Sequence, residues 1–165
     1  MPLISSSSRC HICGEPLGPV EERECLPFFT RNQRDPLFVL SDSCVHRRCL
    51  QTHPRRQELE ERVAGARHHR EEEWLCAVCS EVVAKETGYS TGFLTSDSSH
   101  PLFAFNYTTL HKDHLRQWSK YEEFERLVAD FVASGLYAGP PILPSTEPFV
   151  TPMYRMGRAY KIGKE

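Results

Sequence analysis

Cys10-His11-Ile12-Cys13 is answered further along the chain by Cys76-Ala77-Val78-Cys79, and this recurrence decides how the fold is read. The offset between the two is 66 residues. At an offset of 65, Pro36-Leu37-Phe38 meets Pro101-Leu102-Phe103. At that same offset Val45-His46-Arg47-Arg48-Cys49-Leu50 meets Leu110-His111-Lys112-Asp113-His114-Leu115. A single insertion or deletion between the blocks aligns the whole unit. The copies read C-x2-C-x32-H-x2-C and C-x2-C-x31-H-x2-H. A chance match does not keep the Cys pair, the Pro-Leu-Phe triplet and the second pair in one order and spacing. Such self-similarity ranks before any other fold signal. With two copies, the expectation is a pseudo-dimer rather than a solenoid.

The residue types then fix the chemistry. Seven Cys and eight His in 165 residues is a dense ligand supply. The N-terminus lacks a charged segment followed by a long apolar run, so it does not read as a secretory signal, and cytoplasmic location is the expectation. Ser5 to Ser8 reads as a frayed end. In a reducing compartment clustered Cys argue for metal before disulfides, and an odd count suits disulfides poorly. Thiolate and imidazole are the preferred ligands of zinc, and four is its structural coordination number. The sequence therefore predicts two structural Zn2+ ions. One is held by Cys10, Cys13, His46 and Cys49, the other by Cys76, Cys79, His111 and His114. Four protein ligands leave no position for an activated water, so these metals are expected to be structural rather than catalytic. Cys25 and Cys44 are left over and read as small buried hydrophobes.

Local patterns place the ligands. Each Cys pair suits a tight knuckle, and Gly14 supplies a positive φ to the first. Residues 36–40 and 101–105 read as short apolar strands opened by Pro. Residues 41–43 and 106–109 read as turn and helix-start signals. Leu110, His114, Trp118, Tyr121, Phe124, Val128 and Phe131 recur at three- and four-residue steps, which predicts one helix from about Thr109 to Ser134, stopped by Gly135. His111 and His114 then fall in its first turn, as His46 and Cys49 do at the start of an equivalent helix that Pro54 breaks. The aromatic stripe is expected to pack across both units. Residues 55–73 read as a charged segment with His68 and His69 at the surface, and residues 88–92 as a hairpin connection.

Knuckle, hairpin and a helix carrying two ligands resemble the treble-clef zinc finger, over roughly residues 9–63 and 75–131. The resemblance rests on ligand order and element order. It implies a small zinc-stabilised α+β fold: a first unit at 9–73, a second at 74–138, and a Pro-rich linker with a basic tail at 139–165. A straight reading of Cys10, Cys13, Cys44, His46, Cys49, His53, Cys76 and Cys79 resembles instead the interleaved RING finger, which implies ubiquitin-ligase-like recruitment. That reading leaves His111 and His114 without a role, and three residues separate Cys49 from His53 where two are usual. His100, Asn106 and His111 invite comparison with HNH nucleases, but the spacing is too short and His111 is already a ligand.

Composition narrows the function classes. With 39% hydrophobic and 25% charged residues, the chain is globular in type. No apolar run can span a bilayer. A net charge of -2 gives no global field for nucleic acid. Residues 1–73 do hold eleven Arg and no Lys against twelve acids. Arg155, Arg158, Lys161 and Lys164, interleaved with Tyr154 and Tyr160, form a basic tail that suits an acidic protein or a phosphate backbone. The leading expectation is a non-enzymatic adaptor that binds another protein. The ubiquitin-ligase-like module and nucleic-acid binding, through the Arg-rich first unit or the tail, are the alternatives.

Overall fold

The computed structural model describes residues 8–144. The tail basic residues and Ser5 to Ser7 therefore lie outside the described residues.

The described chain is α+β and is organised by two short antiparallel hairpins. β1 (Arg23–Cys25) pairs with β2 (Cys44–His46) in the register Arg23 to His46, Glu24 to Val45 and Cys25 to Cys44. β3 (Gly88–Ser90) pairs with β4 (Thr109–His111) as Gly88 to His111, Tyr89 to Leu110 and Ser90 to Thr109. Each position of one ladder falls 65 residues from its counterpart in the other. Three helices complete the frame: α1 (Arg47–Gln51), α2 (Arg56–Glu71) and α3 (Tyr121–Ala133).

The Pro-Leu-Phe segments are not strands. Phe38–Leu40 and Pro101–Phe105 are 3-10 helices. A side chain just upstream takes the first N–H of each Pro-Leu-Phe segment, since Pro has none: Asp35 Oδ1 accepts from Leu37 at 2.8 Å and His100 Nδ1 from Leu102 at 3.1 Å. That local bond competes with a ladder and starts the turn. Leu37 and Leu40, and likewise Leu102 and Phe105, then point into the core three residues apart, which is one full 3-10 turn.

Each long loop is pinned the same way. Ser41 Oγ accepts from the Phe29 and Thr30 amides and donates to the Thr30 carbonyl. Asn106 does this 65 residues on, accepting from Leu94 and Thr95 and donating to the Thr95 carbonyl. Asn106 is thus a loop anchor. Asp42 (φ 54) and Tyr107 (φ 59) turn the chain into β2 and β4 in the left-handed region.

The helix expected from about Thr109 to Ser134 is three elements. Thr109–His111 is strand, Lys112–Gln117 is 3-10, and only Tyr121–Ala133 is α-helix. Gly135 (φ 74) closes it, its amide reaching the Val132 carbonyl at 3.1 Å. In the first unit α1 ends at Gln51, ahead of Pro54. Residues 88–90, expected as a hairpin connection, are strand β3.

Two cores result. One gathers Cys10, Leu26, Phe29, Leu37, Leu40, Val45, Leu59, Val63 and Ala66. Helix α2, read from the sequence as a charged segment, delivers Leu59, Arg62, Val63 and Ala66 along one face. The other core takes Leu102, Phe105, Leu110, Trp118, Phe124, Val128 and Phe131. The aromatic stripe therefore stays within the second unit and does not span both. Ile142, in the Pro-rich stretch, is buried with it, and its carbonyl accepts from Tyr89 Oη at 3.0 Å.

Polar contacts join the units instead. Asn32 Nδ2 donates to the Leu136 carbonyl at 2.9 Å, and its Oδ1 accepts from the Ala138 amide at 3.0 Å. Arg62 reaches Ser96 Oγ at 3.1 Å and lies 4.7 Å from the Phe93 ring centroid. His69 Nε2 stands 2.8 Å from Ser90 Oγ. The sequence placed His68 and His69 together at the surface. His68 is exposed, but His69 is half-buried because its ring stacks on Trp74 at 4.8 Å.

Candidate metal centres

Both predicted ligand sets come together. Cys10, Cys13, His46 and Cys49 form one cluster and Cys76, Cys79, His111 and His114 the other, with all ligand atoms of a cluster within 4.8 Å of one another.

The backbone builds each knuckle with the same bonds. Cys10 N donates to the Glu15 carbonyl and Cys76 N to that of Glu81. Gly14 N and Ser80 N close the turns onto Cys10 and Cys76. His11 N reaches Cys44 and Ala77 N reaches Thr109, which ties each knuckle to its hairpin. Gly14 takes a φ of 76, and Ser80 takes the same region at 62 without the glycine.

His46 and His111 are the last residues of β2 and β4, each also capping the helix that follows. Their outer nitrogens are occupied. His46 Nε2 lies 3.0 Å from the Pro16 carbonyl and His111 Nε2 3.2 Å from the Val82 carbonyl. A carbonyl only accepts, so Nε2 carries a proton, and in the neutral ring the Nδ1 lone pair then faces inward. His46 Nδ1 stands 3.4 Å from Cys13 Sγ and 3.7 Å from Cys49 Sγ. His111 Nδ1 is 3.6 Å from Cys79 Sγ, and His114 Nδ1 3.4 Å from Cys76 Sγ. A tetrahedron with metal–sulfur bonds of about 2.3 Å and metal–nitrogen bonds of about 2.0–2.1 Å has sulfur–nitrogen edges of about 3.6 Å. The separations bracket that edge, so each donor set can hold one metal ion and is consistent with zinc.

The sulfurs of the clusters differ in how readily they ionise. Burial opposes ionisation of Cys10 and Cys76, yet backbone amides outweigh it. Those of Cys13, His46 and Ile12 bring Cys10 down to about 7. Those of Cys79, His111 and Val78, with His114 beside them, bring Cys76 down to about 5. Cys49 moves the other way, pushed up to about 11 by burial and then by the Cys13 and Cys10 sulfurs. Crowding several thiolates is costly until a divalent cation supplies the opposing charge.

Cys44 and His53, which the interleaved reading needs, lie in neither cluster. Cys44 is bonded to Cys25 in a disulfide across β1 and β2, and His53 Nδ1 accepts from the Arg55 amide at 3.2 Å. The expectation that both thiols are free is therefore corrected: the ladder places them opposite one another. Nothing in the spacing of Cys25 and Cys44 reveals this, because it depends on the register. His100, the other residue compared with nucleases, caps a 3-10 turn.

Comparison of the chain with protein families, with curated proteins and with solved structures found no match. No helix among the described residues is long and apolar enough to cross a membrane.

Proposed function

We propose that this chain is a structural-zinc protein acting as a protein-interaction module, built from two duplicated treble-clef-like units with one zinc ion in each. The observation that carries the reading is the inward Nδ1 of His46 and of His111, each fixed by a carbonyl on the outer nitrogen. Such support is what a permanent ligand needs, and four protein donors fill the structural coordination shell. The metals then set shape, and function falls to the surfaces they hold. Arg47, Arg55, Arg56, Arg62 and Arg67 of the first unit pair with Glu24, Glu58, Glu60 or Asp35. Those pairs take up five of the unit's eleven arginines and so lessen its pull on a nucleic-acid backbone.

Elemental analysis of the purified chain should find two zinc ions per molecule. Cys13→Ser and Cys79→Ser should each retain one, and Cys44→Ser both. A Cys44→Ser protein that loses an ion would restore the interleaved cage. The zinc-loaded chain should bind a defined protein from its own host in a manner lost on chelation. Retention of DNA or RNA at low salt instead, or discharge of ubiquitin from a charged conjugating enzyme, overturns the adaptor reading.

A further inference from the structure

A hollow of about 200 Å³ lies at the junction of the two units. Arg31 and His69 of the first unit face it, with Trp74, Ser90, Phe93 and Tyr107 of the second. We propose that this hollow binds a carboxylate carried on an aromatic or branched apolar group. The site is distinct from both metal clusters and exists only when the units are packed together.

Charge points to an anion. Among the described residues no Asp or Glu lines the hollow. Arg31 is half-buried there, and among the described residues no carboxylate lies within salt-bridge distance of it. Five of the eleven first-unit arginines have such a partner, and Arg31 is the one of the remaining six that lines this aromatic hollow. A guanidinium held partly out of water without a counterion is a ready receptor, and its planar fork matches a carboxylate with two parallel bonds. Lys85 adds a positive charge nearby, its Nζ 5.7 Å from the Trp74 ring centroid.

Shape points to an apolar body of modest size. Rings form the walls: His69 stacks on Trp74 with centroids 4.8 Å apart and meets Tyr107 at 4.9 Å. The Trp74 Nε1–H is already engaged by the His69 carbonyl at 2.8 Å, so that ring offers a face rather than a donor. Pockets for drug-sized ligands run from about 300 to 1,000 Å³, so this one admits a single side-chain-sized group. A second hollow of about 430 Å³ shares Phe93 and Tyr107 but carries Glu58 and Glu61. The one guanidinium in that lining, Arg62, is already taken by Asp35 and Glu58, which leaves an anion to the Arg31 side.

Two sources carry this chemistry, a free aromatic acid and the C-terminal residue of a polypeptide. The test titrates the zinc-loaded full chain and reads the two tryptophan indole signals by NMR. Trp74 lines the hollow, and Trp118 sits in the second core as an internal reference. Phenylacetate should shift Trp74 to saturation and leave Trp118 still. Benzyl alcohol and acetate should each bind at least about tenfold more weakly, since each lacks half of the recognised group. Arg31→Gln should lose binding by at least about tenfold and Arg31→Lys should recover part, because lysine keeps the charge without the fork. Acetyl-glycyl-glycyl-phenylalanine, free and amidated at its C-terminus, separates the sources: tighter binding of the free peptide than of phenylacetate assigns a chain end, the reverse a free acid. The proposal fails if phenylacetate leaves Trp74 unmoved, if benzyl alcohol binds as well on the unmodified chain, or if a folded Arg31→Gln protein binds undiminished.

Discussion

Arg62 is the charged residue most deeply enclosed by this fold, and replacing it tests how the two units are held. Its side chain is 4% exposed and that of Asp35 8%. Nη1 bonds Asp35, while Nη2 bonds Glu58 and Ser96. Arg62→Met leaves Asp35 buried with the Leu37 amide as its remaining donor, at 2.8 Å. Removing one member of a buried pair costs about 3–5 kcal/mol. The surviving amide bond and the packing of Met against Phe93 argue for the lower end, about 3 kcal/mol. Asp35→Asn keeps the shape and leaves Arg62 with Glu58, so its cost should be about 1–2 kcal/mol. The double replacement Asp35→Leu with Arg62→Met removes both charges and should cost about 1 kcal/mol or less. The assay is urea unfolding of the zinc-loaded protein followed by circular dichroism. At a slope of about 2 kcal/mol/M, Arg62→Met should lower the midpoint by about 1.5 M. An Arg62→Met protein within about 0.5 kcal/mol of the parent would refute the reasoning. So would a double mutant whose loss equals the sum of the single Asp35→Leu and Arg62→Met losses.

Three further outcomes follow from local contacts. The Tyr107 hydroxyl is buried with no hydrogen-bond partner among the described residues, so Tyr107→Phe should leave stability unchanged or raise it by up to about 1 kcal/mol in the same assay. His69 has its pKa lowered in the folded chain by burial, Lys85 and His68. The unfolded chain therefore binds the proton first, and stability should be flat at higher pH and fall as pH drops below about 6.5. His69→Gln should weaken that fall between pH 7.5 and 6, with zinc content checked at both; an identical slope refutes the assignment. Cys25→Ser should keep two zinc ions. Without reductant it should lose up to about 3 kcal/mol, the loop-closure entropy for a separation of 19 residues, and nothing when the parent is reduced.

The clusters were legible in the sequence because ligand chemistry is carried by residue type and spacing alone. The elements between them were less so, for identifiable reasons. Three-residue strands such as Arg23–Cys25 are too short to show an alternating pattern. The Pro-Leu-Phe segments have strand composition, but the bonds that Asp35 and His100 accept from the leucine amides decide for 3-10 turns. Helix α2 hides its buried face among charges, since Leu59, Val63 and Ala66 are its only buried apolar residues. Thr109 to His111 continue the helical spacing of the stripe beyond them, yet the ladder with β3 claims them as strand. In each case a contact distant in sequence, or a side chain acting on its own backbone, overrides the local pattern.

The two halves part company where a metal held in the clusters would not constrain them. Bonds in the knuckles correspond at an offset of 66, and the bridge partners Arg9 with Pro16 and Leu75 with Val82 keep it. The ladders correspond at 65. The one-residue difference between Pro16 and Arg23 thus falls outside every element that carries a cluster residue. Past the fourth ligand the correspondence ends: Cys49 sits inside α1, whereas His114 sits in a 3-10 turn that leads through Trp118 to α3. A single ladder position shows how far the rest may diverge. Cys25 and Cys44 occupy it as a covalent staple in the first unit. In the second, Ser90 and Thr109 stand there, and the side chains turn outward from each other to His69 and to the Leu75 carbonyl. One half uses the position to close its own hairpin, and the other uses it to reach its neighbour.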